Sequence, residues 1–184
     1  MALTLSILIA TMPSRYNQYV ELESNLRRQG AFNIFSEVEV IFDNEMSYNI
    51  GVKRNKMLLY AKGEYIVFID DDDEISNNYL SLILEACKSG CDCIGINGFI
   101  TTNGENEKQW FISKEYGHWH EENNVYYRTP NHISPVKREL ALQAMFPEIS
   151  HAEDFEYSKR LFPLLKTETL INEPIYHYKF ISNK

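Results

Sequence analysis

Three short apolar segments, separated by two segments with helical spacing, constrain the fold of this chain more than any other feature. The apolar runs predict strands over 3–9, 38–42 and 65–69, and the spacing between them predicts helices over 17–28 and 50–61. Strands joined by helices of this length favour right-handed crossovers. We therefore expect an α/β fold with a mainly parallel central sheet flanked by helices.

The polar residues that follow the three predicted strands should converge on one crevice. Ligands of open α/β sheets bind beyond the carboxyl ends of the strands. Residues Thr11 to Arg15 follow the first strand, Asp43 follows the second, and Asp70 to Asp73 follow the third. We expect a ligand site where these residues meet.

The middle of the chain has weaker patterns. We expect a helix over 76–87 with Ser76 as its N-cap, a strand over 92–100, and an exposed turn over 101–108. The aromatic-rich segment 110–128 has no clean period, so we expect irregular strands and loops there.

The last part of the chain contains two predicted helices and a closing strand. Pro135 suits the first turn of a helix over 135–145, and a second helix is expected over 152–165. A strand over 171–180 would end the fold. The 184 residues contain no internal repeat or linker, so residues 1–184 are expected to form a single domain.

The charge balance argues against nucleic acid as a partner. Lys and Arg number 18 against 26 Asp and Glu, which gives a net charge of −8. Such a chain repels the phosphate backbone unless its basic residues cluster, and the sequence contains no such run. A small anionic ligand remains compatible with this balance.

The cysteine pattern and the apolar start of the chain bear on where the protein works. Cys87, Cys91 and Cys93 give no disulfide framework, and zinc would need a further ligand, so we expect reduced, buried thiols. The apolar run over 3–10 is shorter than the ~20 residues of a membrane span and lacks a basic region before it. We therefore expect a soluble, cytoplasmic protein without a transmembrane segment.

Four consecutive carboxylates, Asp70 to Asp73, directly follow the third apolar strand. Two unit charges about 4 Å apart interact by about 4 kcal/mol at the dielectric of a protein surface, so the cluster needs compensation. Mg²⁺ or Mn²⁺ would supply it, because these cations take one or two carboxylates together with phosphate oxygens. The alternative is a solvated acidic turn that caps the next helix, and the four residues alone leave both open.

Two further charged pairs lie near predicted helix starts. Lys53 and Arg54 would meet a diphosphate beside a helix N-terminus, or lie on a solvated helix face. Glu153 and Asp154 follow the expected start of the helix at 152. There a carboxylate is stabilised by the helix dipole and either serves as a base or caps the helix.

In their order along the whole chain, these motifs resemble the family 2 type of glycosyltransferase, which has the GT-A fold. That family's opening strand and nucleotide loop are matched at 5–15 by LSILIATMPSR, and its base-binding strand at 40–44 by VIFDN. Its helix, turn and Asp-x-Asp strand are matched at 51–73 by GVKRNKMLLYAKGEYIVFIDDDD, the most specific stretch. Its late Glu-Asp helix is matched at 151–161 by HAEDFEYSKRL.

The resemblance implies a nucleotide-sugar half in 1–100 and an acceptor half with the catalytic base in 101–184. A UDP-sugar is the implied donor, with Asp43 contacting the uracil or ribose and Asp70 facing the ribose or a metal-bound water. Asp71 stands where the family commonly has Ser and adds a charge. The positions implied in nucleotide-sugar binding are Thr11, Pro13, Arg15, Asp43, Lys53, Arg54, Asp70 and Asp71.

The resemblance also implies metal-dependent, inverting transfer. Asp72 would hold Mn²⁺ or Mg²⁺ at the two donor phosphates, and His177 would be a further metal ligand, a phosphate contact or a packed histidine. Asp154 would take the proton from the acceptor hydroxyl, with Glu153 as its helper. A single base on the face opposite the leaving group gives one in-line displacement and inversion at the anomeric carbon.

The acceptor side is less specific. The resemblance allows a glycan, glycoprotein or oligosaccharide acceptor. Trp110, Trp119 and Tyr126 would either stack on its sugar rings or pack in the core. His132 and His151 would either meet the acceptor or lie on the surface.

Two other functions fit parts of the sequence. A sugar-phosphate nucleotidyltransferase shares the metal-binding aspartates, but its glycine-rich loop after the first strand is missing, since 11–17 contains no glycine. A non-catalytic nucleotide-sugar or glycan binding module would keep the fold without turnover. Against that alternative, Asp70, Asp72 and Asp154 are all present.

Overall fold

The computed structural model describes residues 3–182, which form ten strands and five α-helices. Two short 3-10 helices, Pro13–Arg15 and Phe162–Leu164, flank longer helices. The other elements in chain order are β1 (Leu5–Ala10), α1 (Tyr16–Arg28), β2 (Val38–Asp43), α2 (Ile50–Tyr60), β3 (Tyr65–Phe68), β4 (Glu74–Ile75), α3 (Tyr79–Cys87), β5 (Cys93–Thr102), β6 (Glu105–Ile112), β7 (His120–Glu122), β8 (Val125–Arg128), β9 (Val136–Lys137), α4 (Arg138–Ala144), α5 (Glu153–Leu161) and β10 (Glu168–Phe180).

All ten strands belong to one sheet. The strand order is β2-β1-β3-β9-β5-β6-β8-β7, and β10 pairs with β5 and with β4. The pairs β1–β2, β1–β3 and β5–β10 are parallel, whereas β9 runs antiparallel to β3 and β5. The predicted parallel half over the first three strands is confirmed, and the carboxyl ends of those strands lie side by side.

Helices cover both faces of this sheet. Ile7 and Ile9 of β1 face one way and pack in a core with α1 and α3, while Leu8 faces the other way and packs with α2, α4 and α5. All three side chains have no exposed surface. A strand buried on both faces explains the nearly continuous apolar run at the start of the chain.

Two predicted helix starts are wrong, and strand pairing explains both. Ser76 is not the N-cap of α3, because its N–H donates to the carbonyl of Ile175 and its hydroxyl to Asn78, the residue before the helix. Pro135 is not in the first turn of α4, because its carbonyl accepts from Ile94 and the next two residues form β9. In both places a short sheet contact takes the backbone groups that a helix would need.

Other boundaries also differ from the expectation. The predicted turn over 101–108 is a hairpin in which β5 runs to Thr102 and β6 begins at Glu105. Asn103 and Gly104 form its two-residue turn with φ of 54° and 79°, which is the geometry that Asn-Gly favours. The last helix is shorter than predicted, because α5 ends at Leu161 and a 3-10 turn containing a proline follows.

None of the helices in the described range 3–182 is both long enough and apolar enough to cross a membrane.

Candidate active site

The N-terminal half of α2 carries the two cations that the sequence singled out. Asn49 caps this helix by accepting from the N–H of Val52 at 2.9 Å. Gly51 lies so close to the loop after α4 that an added Cβ would stand 1.9 Å from the carbonyl oxygen of Pro147. This close approach holds the start of α2 against that loop. Lys53 and Arg54 follow in the same turn of the helix.

Lys53 and Arg54 are both buried, with 5 % and 4 % of their surface exposed. The Lys53 ammonium donates to the backbone carbonyl of Thr11 at 2.8 Å. This hydrogen bond holds the loop after β1 in place. Because both side chains are buried, neither cation lies on a solvated helix face.

Arg54 joins two distant carboxylates. Its Nη2 lies 2.9 Å from Oδ1 of Asp70, at the end of β3, and its Nη1 lies 2.8 Å from Oε1 of Glu153, at the start of α5. The guanidinium also lies 5.7 Å from the ring centroid of Phe68 and 5.5 Å from that of Phe146. The planar fork of Arg suits this double contact, which a Lys ammonium would not reproduce.

Asp70 has a second cationic or polar partner, His132. Nε2 of His132 lies 3.2 Å from Oδ2 of Asp70. Burial opposes the charge on Asp70, but His132 and Arg54 outweigh it, so the pKa of this carboxyl lies below its ordinary value. Asp70 is therefore ionised wherever the protein is folded near neutral pH.

His132 also approaches the predicted base. Its Nδ1 lies 4.0 Å from Oδ2 of Asp154, and this nitrogen is buried without a hydrogen-bond partner in the described chain. The His132 carbonyl accepts from the N–H of Phe68, which holds the loop against the end of β3. The sequence left His132 open between acceptor contact and surface; the structure places it between two carboxylates of the site.

Asp154 is more exposed than its neighbour Glu153 and, within residues 3–182, is not held by an arginine. The Glu153 side chain is 10 % exposed and held by Arg54, whereas the Asp154 side chain is 31 % exposed and lies 4.0 Å from Nδ1 of His132. Both residues lie in the first turn of α5, where negative charge is favoured. His151, two residues before this helix, is exposed.

Asp70 to Asp73 form an acidic turn after β3, and Arg15 pairs with the two carboxylates in its middle. Its Nη1 lies 3.0 Å from Oδ1 of Asp71 and 3.0 Å from Oδ2 of Asp72. Burial raises the pKa of the Asp72 carboxyl, as do the nearby Asp70 and Asp71, although Arg15 opposes the shift. An arginine thus supplies part of the positive charge that the four carboxylates require, for which the sequence left a metal ion and a solvated turn both open.

Asp73 belongs to the scaffold of the site. It accepts from the Tyr176 hydroxyl at 2.8 Å and from the backbone N–H of Lys179 at 2.8 Å. The same hydroxyl accepts from the N–H of Asp70 at 3.2 Å. Residues of β10 therefore bind both the first and the last aspartate of the acidic turn. Burial raises the pKa of Asp73 well above its ordinary value.

Three predicted binding residues make no ion pair or hydrogen bond with the side chains of Arg54 or Arg15 in the part of the chain that the structure describes. His177 contacts Thr101 at 3.0 Å and Glu74 at 3.6 Å, and no contact joins it to Asp72 within residues 3–182. The Asp43 carboxylate accepts from the N–H of Glu45, at the end of β2. Pro13 is exposed in the 3-10 turn that leads to Arg15.

The acidic turn fits a metal ion shared with a ligand rather than one enclosed by protein. Over residues 3–182, no three His, Cys, Asp or Glu side chains are grouped to hold a metal ion. The Asp72 side chain is 25 % exposed and reachable, and Oδ2 of Asp71 has no hydrogen-bond partner in that range. Mg²⁺ is commonly bound by one or two carboxylates completed by substrate phosphates, and these two residues suit that arrangement.

A cavity of about 370 Å³ opens beside Asp70 and Asp154. Arg54, Glu153 and His132 also line it. Its other lining residues are largely aromatic and include Trp110, Trp119, Tyr126, Arg128 and Tyr178. Charged groups and flat aromatic rings therefore share one cavity, a combination that is typical of small-molecule sites.

The family model described as glycosyl transferase family 2 matches residues 19–149, which is more than half of the chain. The chain belongs to glycosyl transferase family 2. The match includes Arg54, the acidic turn and His132 of this family 2 chain, and it ends before Glu153 and Asp154. A search of curated proteins gave no match.

Solved structures of Staphylococcus aureus TarS resemble this family 2 chain in fold. TarS 1–349 in complex with UDP-GlcNAc is 17 % identical with a TM-score of 0.72, over 99 % of this chain and 60 % of that one. TarS 1–349 in complex with UDP is 17 % identical with a TM-score of 0.71, over 96 % and 60 %. The family 2 chain described here therefore has the GT-A fold and spans about 60 % of the TarS chain it matches.

Proposed function

We propose that this glycosyltransferase moves a sugar from a UDP-linked donor to a hydroxyl of a glycan, glycoprotein or oligosaccharide acceptor, with inversion at the anomeric carbon. The observation that carries the proposal is the contrast between two adjacent carboxylates. Glu153 is committed to Arg54, while Asp154 is accessible from the cavity and free to receive a proton.

The donor is assigned to the half formed by residues 1–100. Arg15, Asp71 and Asp72 lie together at the carboxyl ends of the parallel strands, where ligands of such sheets bind. Thr11 and Pro13 follow β1 and Asp43 ends β2 at the same edge of the sheet, and we propose that all three line the nucleotide pocket. The UDP and UDP-GlcNAc complexes of TarS, which shares the fold, support UDP as the nucleotide.

Mn²⁺ or Mg²⁺ is proposed to bind with the donor at Asp72, next to Asp71. Bound there, a divalent cation would stabilise the charge that develops on the departing diphosphate. Arg15 is a second source of positive charge at this point and would act on the same leaving group. His177 is a weaker candidate for this role, because its side chain is engaged by Thr101 and Glu74.

Asp154 is proposed as the general base. It would accept the proton of the acceptor hydroxyl as that oxygen attacks the anomeric carbon. The other carboxylates of this cavity, Asp70 and Glu153, are held by Arg54 and are therefore poor nucleophiles. One free base and no free nucleophile favour a single displacement, which inverts the configuration.

A thermal-shift titration tests the donor side without knowledge of the acceptor. UDP, GDP, CMP and dTDP are each added with and without Mn²⁺, because a ligand that binds only the folded state raises its stability by RT ln(1 + [L]/Kd). We expect a shift with UDP that increases with Mn²⁺. The shift should be lost in Asp72→Ala and kept in Glu85→Ala, which removes an exposed carboxylate on α3.

The titration separates the metal assignment from the donor assignment. A UDP shift that is the same with and without Mn²⁺ would reject the metal at Asp72 and leave the donor assignment in place. Absence of a shift with every nucleotide, in protein that melts cooperatively, would reject the proposed activity and favour a module that kept the fold and lost donor binding.

A further inference from the structure

Arg128 is a cation that lines the cavity together with Trp119 and Tyr126. It ends β8, where pairing with Ile112 fixes its backbone. Its guanidinium carbon lies 4.6 Å from the ring centroid of Trp119 and 5.0 Å from that of Tyr126. The Trp119 indole is itself held by a 2.9 Å hydrogen bond to Thr129. The guanidinium is therefore oriented by stacking on rings that are themselves fixed.

The charge of Arg128 has no direct partner in the part of the chain that the structure describes. No carboxylate of residues 3–182 lies within 4.0 Å of its guanidinium, and no side-chain hydrogen bond is made there. The other cation of the cavity, Arg54, is neutralised by Asp70 and Glu153. Lys108, which also lies over the Tyr126 ring at 4.9 Å, is paired with Glu121 at 2.8 Å.

The Arg128 guanidinium is partly removed from water. The residue is half-buried, and burial lowers the pKa of its guanidinium more than the nearby Tyr126 and Asp154 raise it. A partly desolvated cation gains from an anionic partner, and the planar Arg fork binds carboxylate and phosphate groups with two parallel hydrogen bonds. The site is preorganised for an anion, since stacking orients the fork before the ligand arrives.

We propose that Arg128 binds an anionic group, a carboxylate or phosphate, carried by the acceptor of the transfer reaction. The inference rests on the proposed function and adds the chemical class of the acceptor. Arg128 lies in the half of the chain that follows residue 100 and lines the same cavity as Asp154, the proposed base for the acceptor hydroxyl. The donor diphosphate is assigned instead to the strand ends near Arg15.

Electrostatics within the cavity favour the same assignment. Asp70, Glu153 and Asp154 all line the cavity, and Arg54 is already shared between the first two. A negatively charged acceptor would be repelled by these carboxylates unless an unpaired cation lined the same cavity. Arg128 is placed to hold the anionic group while the neighbouring Trp119 and Tyr126 offer flat surfaces to a sugar ring.

The test compares charged and neutral sugars on protein whose donor site is filled with UDP. Ligand-observed NMR measures the binding of glucuronate, glucose 6-phosphate and glucose to the wild type, Arg128→Met and Lys108→Met. Arg128→Met keeps an unbranched stem for packing on Trp119, and Lys108→Met removes a cation that contacts the same Tyr126 ring but is already paired. UDP affinity is measured for each variant without added sugar.

We expect the wild type to bind the two anionic sugars at least tenfold more tightly than glucose, and to lose part of this preference at high salt. Arg128→Met should abolish the preference and leave UDP affinity within about twofold, while Lys108→Met should retain it. If Arg128→Met does not fold, Arg128→Lys serves instead and should weaken anion binding several-fold, because an ammonium cannot form the two parallel bonds.

Three results would overturn the proposal. A wild type that binds charged and neutral sugars equally has no anion site in this cavity. An anion preference that survives in Arg128→Met belongs to another residue. A fall in UDP affinity of tenfold or more in Arg128→Met would assign the guanidinium to the donor diphosphate. Failure of the wild type to bind UDP would reject the proposed function, and the sugar comparison on UDP-free protein would still test Arg128.

Discussion

The Arg54 guanidinium lies 2.8 Å from the Glu153 carboxylate although the two residues are 99 positions apart in the chain. This contact joins α2, in residues 1–100, to α5, in residues 101–184. Because the same guanidinium also contacts Asp70, one buried cation links the end of β3 to the start of α5, which carries the proposed base.

Replacing Arg54 by Met should lower the free energy of unfolding by about 3–5 kcal/mol, because the buried Glu153 and the partly buried Asp70 would lose their partner. Urea unfolding measures this loss. Arg27→Met is the control, since it removes an exposed pair with Glu23 and should cost no more than about 1 kcal/mol. Equal costs for the two variants would contradict the buried bridge.

Asp154→Asn should reduce turnover by about 10²–10⁴-fold, the range expected for loss of a general base. The side chain is 31 % exposed, so the isosteric change should leave the melting temperature and UDP affinity close to wild type. UDP release and sugar transfer measure turnover, and the UDP titration measures binding. Parallel loss of stability, UDP binding and turnover would show that Asp154 is structural.

His132→Gln should lower kcat about 10- to 100-fold with a much smaller change in the KM for the donor. The imidazole contacts Asp70 and approaches Asp154, so its loss should disturb the alignment of the reacting groups more than donor affinity. His118→Gln, at an exposed histidine, is the control. A rise in KM with kcat unchanged would assign His132 to donor binding instead.

The sequence predicted the parallel β1–β2–β3 unit and the place of the acidic turn, because apolar runs and helical spacing are local properties. It also identified Arg54, Glu153 and Asp154 individually. It did not predict that Arg54 would bridge Asp70 and Glu153, because charge patterns do not specify which distant side chains meet. His132 was left open between an acceptor contact and the surface for the same reason: a single histidine carries no local signal of the two carboxylates it lies between.

The charge of the acidic turn is partly balanced by arginines that the local sequence does not reveal. The repulsion among four carboxylates does require cations, but Arg15 and Arg54 supply part of that requirement from within the chain. Asp73 is buried and bonded by Tyr176, so it is removed from the cluster that a ligand would meet. The short strands β4 and β9 were also missed, since two residues are too few to establish a period.

The three cysteines should react slowly with a thiol reagent in the folded protein. Cys87, Cys91 and Cys93 are free and buried, with 5 %, 6 % and 0 % of their surface exposed. Burial raises the pKa of Cys87 to about 12 and that of Cys93 well above its ordinary value. At pH 8 both are protonated and inaccessible, so Ellman's reagent should label them at a rate set by unfolding, and urea should expose all three at once.

The same two thiols should make stability depend on alkaline pH. In the unfolded chain a thiol loses its proton near pH 8.5, whereas Cys87 and Cys93 keep theirs in the folded protein, so the unfolded state binds fewer protons as pH rises. The free energy of unfolding should therefore fall by about 1 kcal/mol per thiol between pH 8.5 and 9.5. Urea unfolding across this range, with Cys87→Ala/Cys93→Ala as the control, should show a flatter dependence in the variant. An identical slope in both proteins would mean that these thiols ionise as readily folded as unfolded.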